Sequence, residues 1–513
     1  MPASAPPVRR HCAPAADGVP FEALVAERLR QAPTFASSLA AHALALLLLW
    51  LLLPAPARAT PRHHVEVAAP DPAPVATPEP ERMPEVAPEK TDEPVVVDAN
   101  TPIVDAAPAD DAGGDAGGDD ASTDAHLAAD LQHASGAIGL GPTAGGPYTG
   151  RSGRKGPGRT GGVIGAQPLI DAALRWLRAH QDDDGRWDCD GFAKHDDPAL
   201  PACGGPGNGV HDVGVTGLAL LAFLGDGSTM RSGPYRDQVK KAVLWLRAQQ
   251  RDDGLFGAPV AHDYVYDHAI AAYAMCEAYG LSGYSLLRDP AQKGLDHLAA
   301  HRNPYGVWRY QPRDGDGDTS ITGWCVMALA AGKHFGLAVD ATALQTTAVW
   351  LDTVTDASGR HGYTAAGQRS SRKPGDHGSR FPADRTEAMT AVGLFARFFL
   401  GQDPAKTPAM PKAADLLLLQ PPAWDEAGGR VDHYAWYYAS YALFQMGGKR
   451  WTAWQKQLEP TLLKKQHRDP KDGNRFGSWD PDCAWGEDGG RVYSTAILAL
   501  CLQANYRYSR LLH

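Results

Sequence analysis

The sequence predicts an all-α domain from residue 166 to residue 513, a closed (α/α)6 toroid of helix pairs, and three observations predict it. A phrase with fixed internal spacing recurs along this region. A continuously apolar segment follows each copy, and no run of alternating apolar and polar residues is long enough to read as a strand.

The phrase first reads Trp176-Leu177, Gln181, Asp184-Gly185, Trp187, and returns at the same offsets as Trp245-Leu246, Gln250, Asp253-Gly254, Phe256. A third copy has drifted to His297-Leu298, Arg302, Tyr305-Gly306, Trp308, and a fourth to Trp350-Leu351, Thr355, Ser358-Gly359, His361. Two degenerate copies follow, one at 416–420 and one at Leu462-Leu463, Gln466, Asp472-Gly473, Trp479. Each phrase makes local sense as the end of an amphipathic helix. Glycine takes the left-handed position after the helix, the aromatic packs back on the turn, and the Gln bonds backbone groups that the helix terminus leaves unpaired.

Between the phrases lie the apolar segments 213–224, 269–279, 321–331, 388–399, 434–446 and 492–502, which are apolar all round and therefore predict inner helices. An open solenoid would expose the apolar faces of its terminal repeats, whereas six pairs can close on themselves. Closure into one ring is the expectation.

The first 165 residues divide differently. Residues 39–53 are apolar apart from His42, and with Phe35 and Ala36 they approach the length of a membrane-crossing helix, so 36–53 is expected to be a transmembrane helix or signal anchor. Arg9, Arg10, Arg28 and Arg30 precede it, which places 1–35 in the cytoplasm and the toroid outside, in the periplasm or at the cell surface. Ala57-Arg58-Ala59 has the small-x-small form of a cleavage site, so a cleaved signal peptide is the competing expectation, with the same export. Residues 54–165 pass from Pro, Ala, Asp and Glu to Gly-rich sequence with too little apolar surface to fold, and read as an acidic, extended linker. The formal net charge of -10 argues against nucleic acid as a partner.

Polar pairs precede or open the inner helices: His211-Asp212, Asp267-His268, Asp318-Thr319, Thr386-Glu387 and Asp432-His433. In a closed ring these ends converge on one mouth. Each pair fits helix capping, and the three His beside three Asp also fit a divalent metal or a polar ligand held at the rim. The run Asp314-Gly315-Asp316-Gly317-Asp318 lacks the Gly and Glu of an EF-hand loop at its sixth and twelfth positions, which are Thr319 and Cys325. Of the seven cysteines, Cys276, Cys325 and Cys501 fall in apolar helices. Cys189, Cys203 and Cys483 fall in loops after the first and last phrases, and a Cys189–Cys203 disulfide is expected outside the cytoplasm.

The phrase W-L-x-x-x-Q-x-x-D-G-x-W resembles the QW repeat of squalene-hopene and oxidosqualene cyclases, and the implied toroid is shared with protein prenyltransferase β subunits. The resemblance covers residues 166–510. It implies an acid in a D-x-D-D-T motif or a zinc ion held by Asp, Cys and His. Aligned on Asp318-Thr319, the position of the proton-donating Asp is Gly317, which leaves Asp316 and Asp318 as candidate catalytic acids. Ser320 stands where the zinc-binding Cys would be, and Ala435, beside His433, where the His would be. Ser38 and His42 in the apolar run resemble the anchor of TonB-type energy transducers.

Two functions follow as expectations. The first is a tethered extracytoplasmic toroid that binds a hydrophobic small molecule or an envelope protein at its mouth, through His211, Asp212, Asp267, His268, Asp432, His433, Trp324 and Trp436. The second is a cyclase-like or prenyltransferase-like enzyme acting on a hydrophobic substrate, with Trp324, Trp436, Tyr437, Tyr438 and Tyr441 as candidate cation-stabilising walls.

Overall fold

A computed structural model describes residues 166–507; the expected cytoplasmic segment, membrane helix and linker lie outside the described residues, as do 508–513. Among the described residues no helix is long and apolar enough to cross a membrane. The chain forms α1 (Gln167–Ala179), α2 (Asp212–Gly225), α3 (Arg236–Ala248), α4 (Tyr264–Ser282), α5 (Arg288–His301), α6 (Thr319–His334) and α7 (Ala341–Thr353). It continues as the one-turn α8 (His377–Arg380), α9 (Ala388–Phe399), α10 (Ala409–Leu419), α11 (His433–Met446), α12 (Gly448–Lys465) and α13 (Gly486–Arg507).

The inner helices pack in sequence, α2 on α4, α4 on α6, α6 on α9, α9 on α11 and α11 on α13, and α13 returns to pack on α2. The ring therefore closes, and the chain is an α/α toroid. Inner helices are buried on every side, as in α2, where each residue from Gly214 to Gly225 is buried. Outer helices bury one stripe, as in α1, where Leu169, Ile170, Ala173, Leu174 and Leu177 face inward at helical spacing. The α7 helix joins through Leu351, which with Val354 meets Val326 of α6 and Ala396 of α9 in a small separate core.

The repeat phrase is the joint between neighbouring units. The Gln181 amide donates to the Gly185 carbonyl of its own turn and to the Gln238 carbonyl of α3. Gln250 repeats this with Gly254 and Pro290 of α5, and Gln466 with Gly477 and Leu169 of α1, so the last phrase bonds the first helix. The turn glycine explains the spacing. Gly185 has φ +105°, and a Cβ there would lie 2.3 Å from the Lys241 carbonyl oxygen of α3, so no other residue lets the next helix come so close.

Below the turn, the aromatic residue ties the pair together. Trp187 donates its indole N–H to the Leu177 carbonyl at 2.8 Å, and its backbone N–H goes to Thr216 Oγ1 on α2. Trp308 and Trp479 make the same two bonds with Leu298 and Thr322, and with Leu462 and Thr495. In the drifted fourth copy His361 stands in the aromatic position and accepts from the buried Arg397 guanidinium at 2.9 Å, which refills the space with a polar network.

Two details of the expected pattern change. The sixth turn glycine is Gly477 (φ +100°) and not Gly473, because an inserted 3-10 turn, Pro470–Arg475, separates Gln466 from its own turn. The second inner helix begins at Tyr264, a full turn before 269, so Asp267 and His268 lie inside α4 and do not precede it.

Candidate functional site

A cavity of about 310 Å³ opens at the end of the ring where inner helices begin. Its walls come from α2 (Val215, Leu218), α4 (Tyr266, Asp267, Ile270), α6 (Ser320, Trp324), α11 (Tyr434) and α13 (Asp488, Tyr493), with His211 at the foot of α2. The loop residues His262, Asp263, Tyr310, Ser370 to Pro374 and Trp485 complete the lining. Convergence of helix N-termini is thus realised for these five helices, and α9 contributes nothing to it.

The lining has two characters. Val215, Leu218, Ile270 and Trp324 form an apolar side, and His211, Asp263, Asp267, Arg372, Lys373 and Asp488 form a charged one. His211 Nδ1 lies 3.0 Å from Asp267 Oδ2. Burial opposes charging the imidazole, but the hydrogen bond and charge of Asp267 outweigh it and raise His211 from 6.5 to about 9, while burial raises the Asp267 carboxyl above its usual range. Lys373 pairs with Asp488 across the mouth, and Arg372 donates to the Phe381 carbonyl at 2.6 Å.

The ion pair makes a pH prediction with a definite sign. A His whose folded value is raised from 6.5 to about 9 contributes stability that is complete below the unfolded value and disappears as pH rises through the folded one. Thermal midpoints measured across neutral to alkaline pH should therefore fall toward pH 9, and His211→Gln should flatten that fall. An equal fall in the variant would exclude this pair as its source.

Most of the other expected rim residues are committed to structure. His268 Nδ1 accepts the Phe256 N–H at 3.0 Å and Nε2 donates to the Gly294 carbonyl at 3.1 Å, the role that Thr216, Thr322 and Thr495 play in other repeats. Burial holds it neutral, well below the usual imidazole value. His433 is fully buried between Trp424 and Trp436, with ring centroids 5.0 and 5.4 Å away, and desolvation pushes it down to about 3. Asp432 caps α11 by accepting the Ala435 N–H at 3.0 Å, and takes the Thr386 hydroxyl at 2.9 Å. Asp212 accepts the Cys189 N–H at 2.8 Å and pairs with Arg186 at 3.1 Å; burial raises it to about 7. The expected rim of three histidines does not assemble, because inner-helix register turns His268 and His433 into the packing between helices and leaves His211 alone of the three at the cavity, where His262 joins it. Trp436 likewise stands against Trp424, away from the cavity that Trp324 lines.

The two candidate acids separate as well. Asp316 is exposed and pairs with Arg309. Asp318 is buried and caps α6, accepting the Ile321 N–H at 2.9 Å, and burial raises its carboxyl to about 7. Its charge is felt by Tyr266, Tyr310 and Tyr434, and these tyrosines, not Asp318, line the cavity. Asp318→Ala is expected to cost about 1 kcal/mol of stability through the lost cap, and Asp318→Asn, which still accepts the Ile321 N–H, clearly less; urea unfolding of both variants checks this. Tyr437, Tyr438 and Tyr441 are core residues with no exposed surface.

The expected disulfide is absent. Cys189 and Cys203 are both free thiols, with Cys189 Sγ on the Asp488 carbonyl at 3.2 Å and Cys203 Sγ on the Asn474 carbonyl at 3.0 Å. Both contacts do join the loops after the first and last repeats, the neighbours that ring closure predicts. Sequence reasoning missed Arg372, Lys373 and Trp485 because they sit in aperiodic loops that only the folded ring brings to the mouth.

No protein-family model matches the chain, and no curated protein matches it. Solved structures similar to it include an unsaturated glucuronyl hydrolase from Bacillus sp. GL1, 15% identical, covering 67% of this chain and 99% of that one with a TM-score of 0.46. A type II terpene cyclase from Scytonema is 16% identical over 66% of this chain and 98% of its own, with a TM-score of 0.41. An alpha-amylase from Clostridium perfringens is 10% identical, covering 66% and 97% at a TM-score of 0.43.

Proposed function

We propose that the toroid is a binding module that takes a compact amphipathic small molecule into the cavity at its mouth. The observation that carries the reading is the two-sided lining. Val215, Leu218, Ile270 and Trp324 offer an apolar seat, while His211, Asp267, Arg372 and Asp488 offer charged and hydrogen-bonding partners for a polar head. The volume suits a small ligand. Neither known chemistry of the resembled enzymes finds its parts here: the acid position is Gly317, and Ser320 and Ala435 replace zinc ligands.

In the same proposal residues 36–53 anchor the chain in a membrane and 54–165 tether the toroid outside it, giving it reach to a ligand or envelope partner. Native mass spectrometry of the purified full chain, with organic extraction of what it carries, tests the binding reading. A copurified small molecule that is lost in an Ile270→Arg variant supports it. A cavity that returns empty from cells and from a screen of amphipathic compounds refutes it. Protease added to intact and to osmotically opened cells tests the topology, which requires the toroid to be cleaved without breaching the inner membrane.

A further inference from the structure

Outside the cavity, the loop that follows the first repeat brings three different donor atoms to one point. His180 Nε2 lies 3.2 Å from Asp196 Oδ1 and 3.4 Å from Cys203 Sγ. All three atoms lie within 4.8 Å of one another. We infer that His180, Asp196 and Cys203 form a zinc site at the seam where the toroid closes.

The spacing fits. Zinc bonds of about 2.0 Å to nitrogen and oxygen and about 2.3 Å to sulfur, at tetrahedral angles, separate N from O by about 3.3 Å and N from S by about 3.5 Å. The observed edges of 3.2 and 3.4 Å are nearly those of such a tetrahedron. Nitrogen, carboxylate oxygen and thiolate together are the donor set zinc prefers, and three protein ligands leave the fourth corner to water.

The histidine is oriented as a ligand. Its Nδ1 lies 2.8 Å from the Trp176 carbonyl, which can only accept, so Nδ1 carries the hydrogen and the neutral ring presents the Nε2 lone pair to Asp196. Nε2 then faces Asp196 at 3.2 Å, a gap that either a shared proton or a bound cation closes. The ring cannot swing away: it stacks on Trp176 with centroids 4.1 Å apart. His180 and Cys203 are buried, at 4% and 2% exposure. The acidic trio Asp188, Asp190 and Asp212, the other such group among the described residues, already holds Arg186 and Lys194 and needs no ion.

The site stands beside the seam. The Trp176 indole and, as a thiol, Cys203 Sγ donate to the Asn474 carbonyl, and the Asn474 amide donates to the Asp197 and Pro201 carbonyls. Asn474 belongs to the turn of the last repeat, so the Trp176 and Asn474 bonds join the first unit to the sixth, and zinc would brace the first-repeat loop that receives them. Binding replaces the Cys203 thiol proton, which passes to water, with a zinc–sulfur bond.

Metal analysis of the full chain, equilibrated with zinc and freed of excess by gel filtration, is expected to find about one zinc per chain, the stoichiometry of a single site. Cobalt in its place should give a thiolate-to-metal charge-transfer band. Cys203→Ser should lose both signals and Cys189→Ser should keep them. Should Cys203→Ser fail to fold, Asp196→Asn decides: it should fold and lose the zinc. Zinc retained in a folded Cys203→Ser or Asp196→Asn chain, or no zinc in the wild type, overturns the site.

Discussion

Glu277→Ala is expected to destabilise the toroid by about 3–5 kcal/mol, the cost of leaving a buried charge without its partner. Glu277 on α4 and Arg507 on α13 have no side-chain exposure and meet at 2.6 Å. Arg507 also donates to the Leu221 carbonyl of α2 at 2.6 Å, and Tyr273 donates its hydroxyl to Glu277 at 2.8 Å. One guanidinium thus joins the last inner helix to the first two, at the point where the ring closes. Removing the carboxylate takes the counter-charge from that guanidinium among helices that exclude water. Glu277→Gln keeps the shape and an accepting oxygen and should cost less. Urea unfolding followed by circular dichroism measures both, and a loss under about 1 kcal/mol for the alanine variant, the range of an exposed pair, would reject the argument.

Trp187→Ala is expected to cost about 3–5 kcal/mol, the range for emptying a buried aromatic site. Trp187 has no exposed surface, stacks on Phe223 with centroids 5.6 Å apart, and returns its indole N–H to the Leu177 carbonyl at the end of α1. Its loss empties the joint between outer and inner helix of the first unit and leaves the Leu177 carbonyl with the His180 N–H alone. Trp187→Phe keeps the stacking and gives up the hydrogen bond, so its loss should be smaller, with the difference set by the packing that the phenyl ring retains. Equal losses for the two variants would show that the hydrogen bond, and not the packing, holds the joint.

The ring itself was legible before any coordinates, and the reason is that its joints are short-range. Trp176 to Trp187 lie within one helix end and one turn, so the Gln, the turn glycine and the aromatic keep fixed offsets whatever the rest of the chain does. The fifth and sixth copies are harder to read for the same reason in reverse. Gln420 donates to the Asp384 carbonyl instead of bridging to the next outer helix, and an insertion displaces Gly477 from Gln466.

The site was legible only in part. His211, Asp267 and Trp324 were identified and do meet at the cavity, whereas His268 and His433 share their sequence pattern and are turned into packing. A difference of one turn in where α4 begins decides which face Asp267 and His268 present, and nothing in the periodicity of an all-apolar helix fixes that start. Pairs at the foot of inner helices are therefore a poor guide to which member reaches the mouth.

The sequence by itself determined the class of fold, the number of helix pairs and the division of each pair into an amphipathic outer and an apolar inner helix. These follow from local spacing and from the need to bury apolar faces. Only the tertiary structure decided which ionisable groups face the cavity, that Cys189 and Cys203 stay apart, and that His180, Asp196 and Cys203 come together. Those outcomes depend on loops without period and on helix rotation within a closed ring, where each side chain's surroundings are set by residues hundreds of positions away in the chain, as Arg507 is from Leu221.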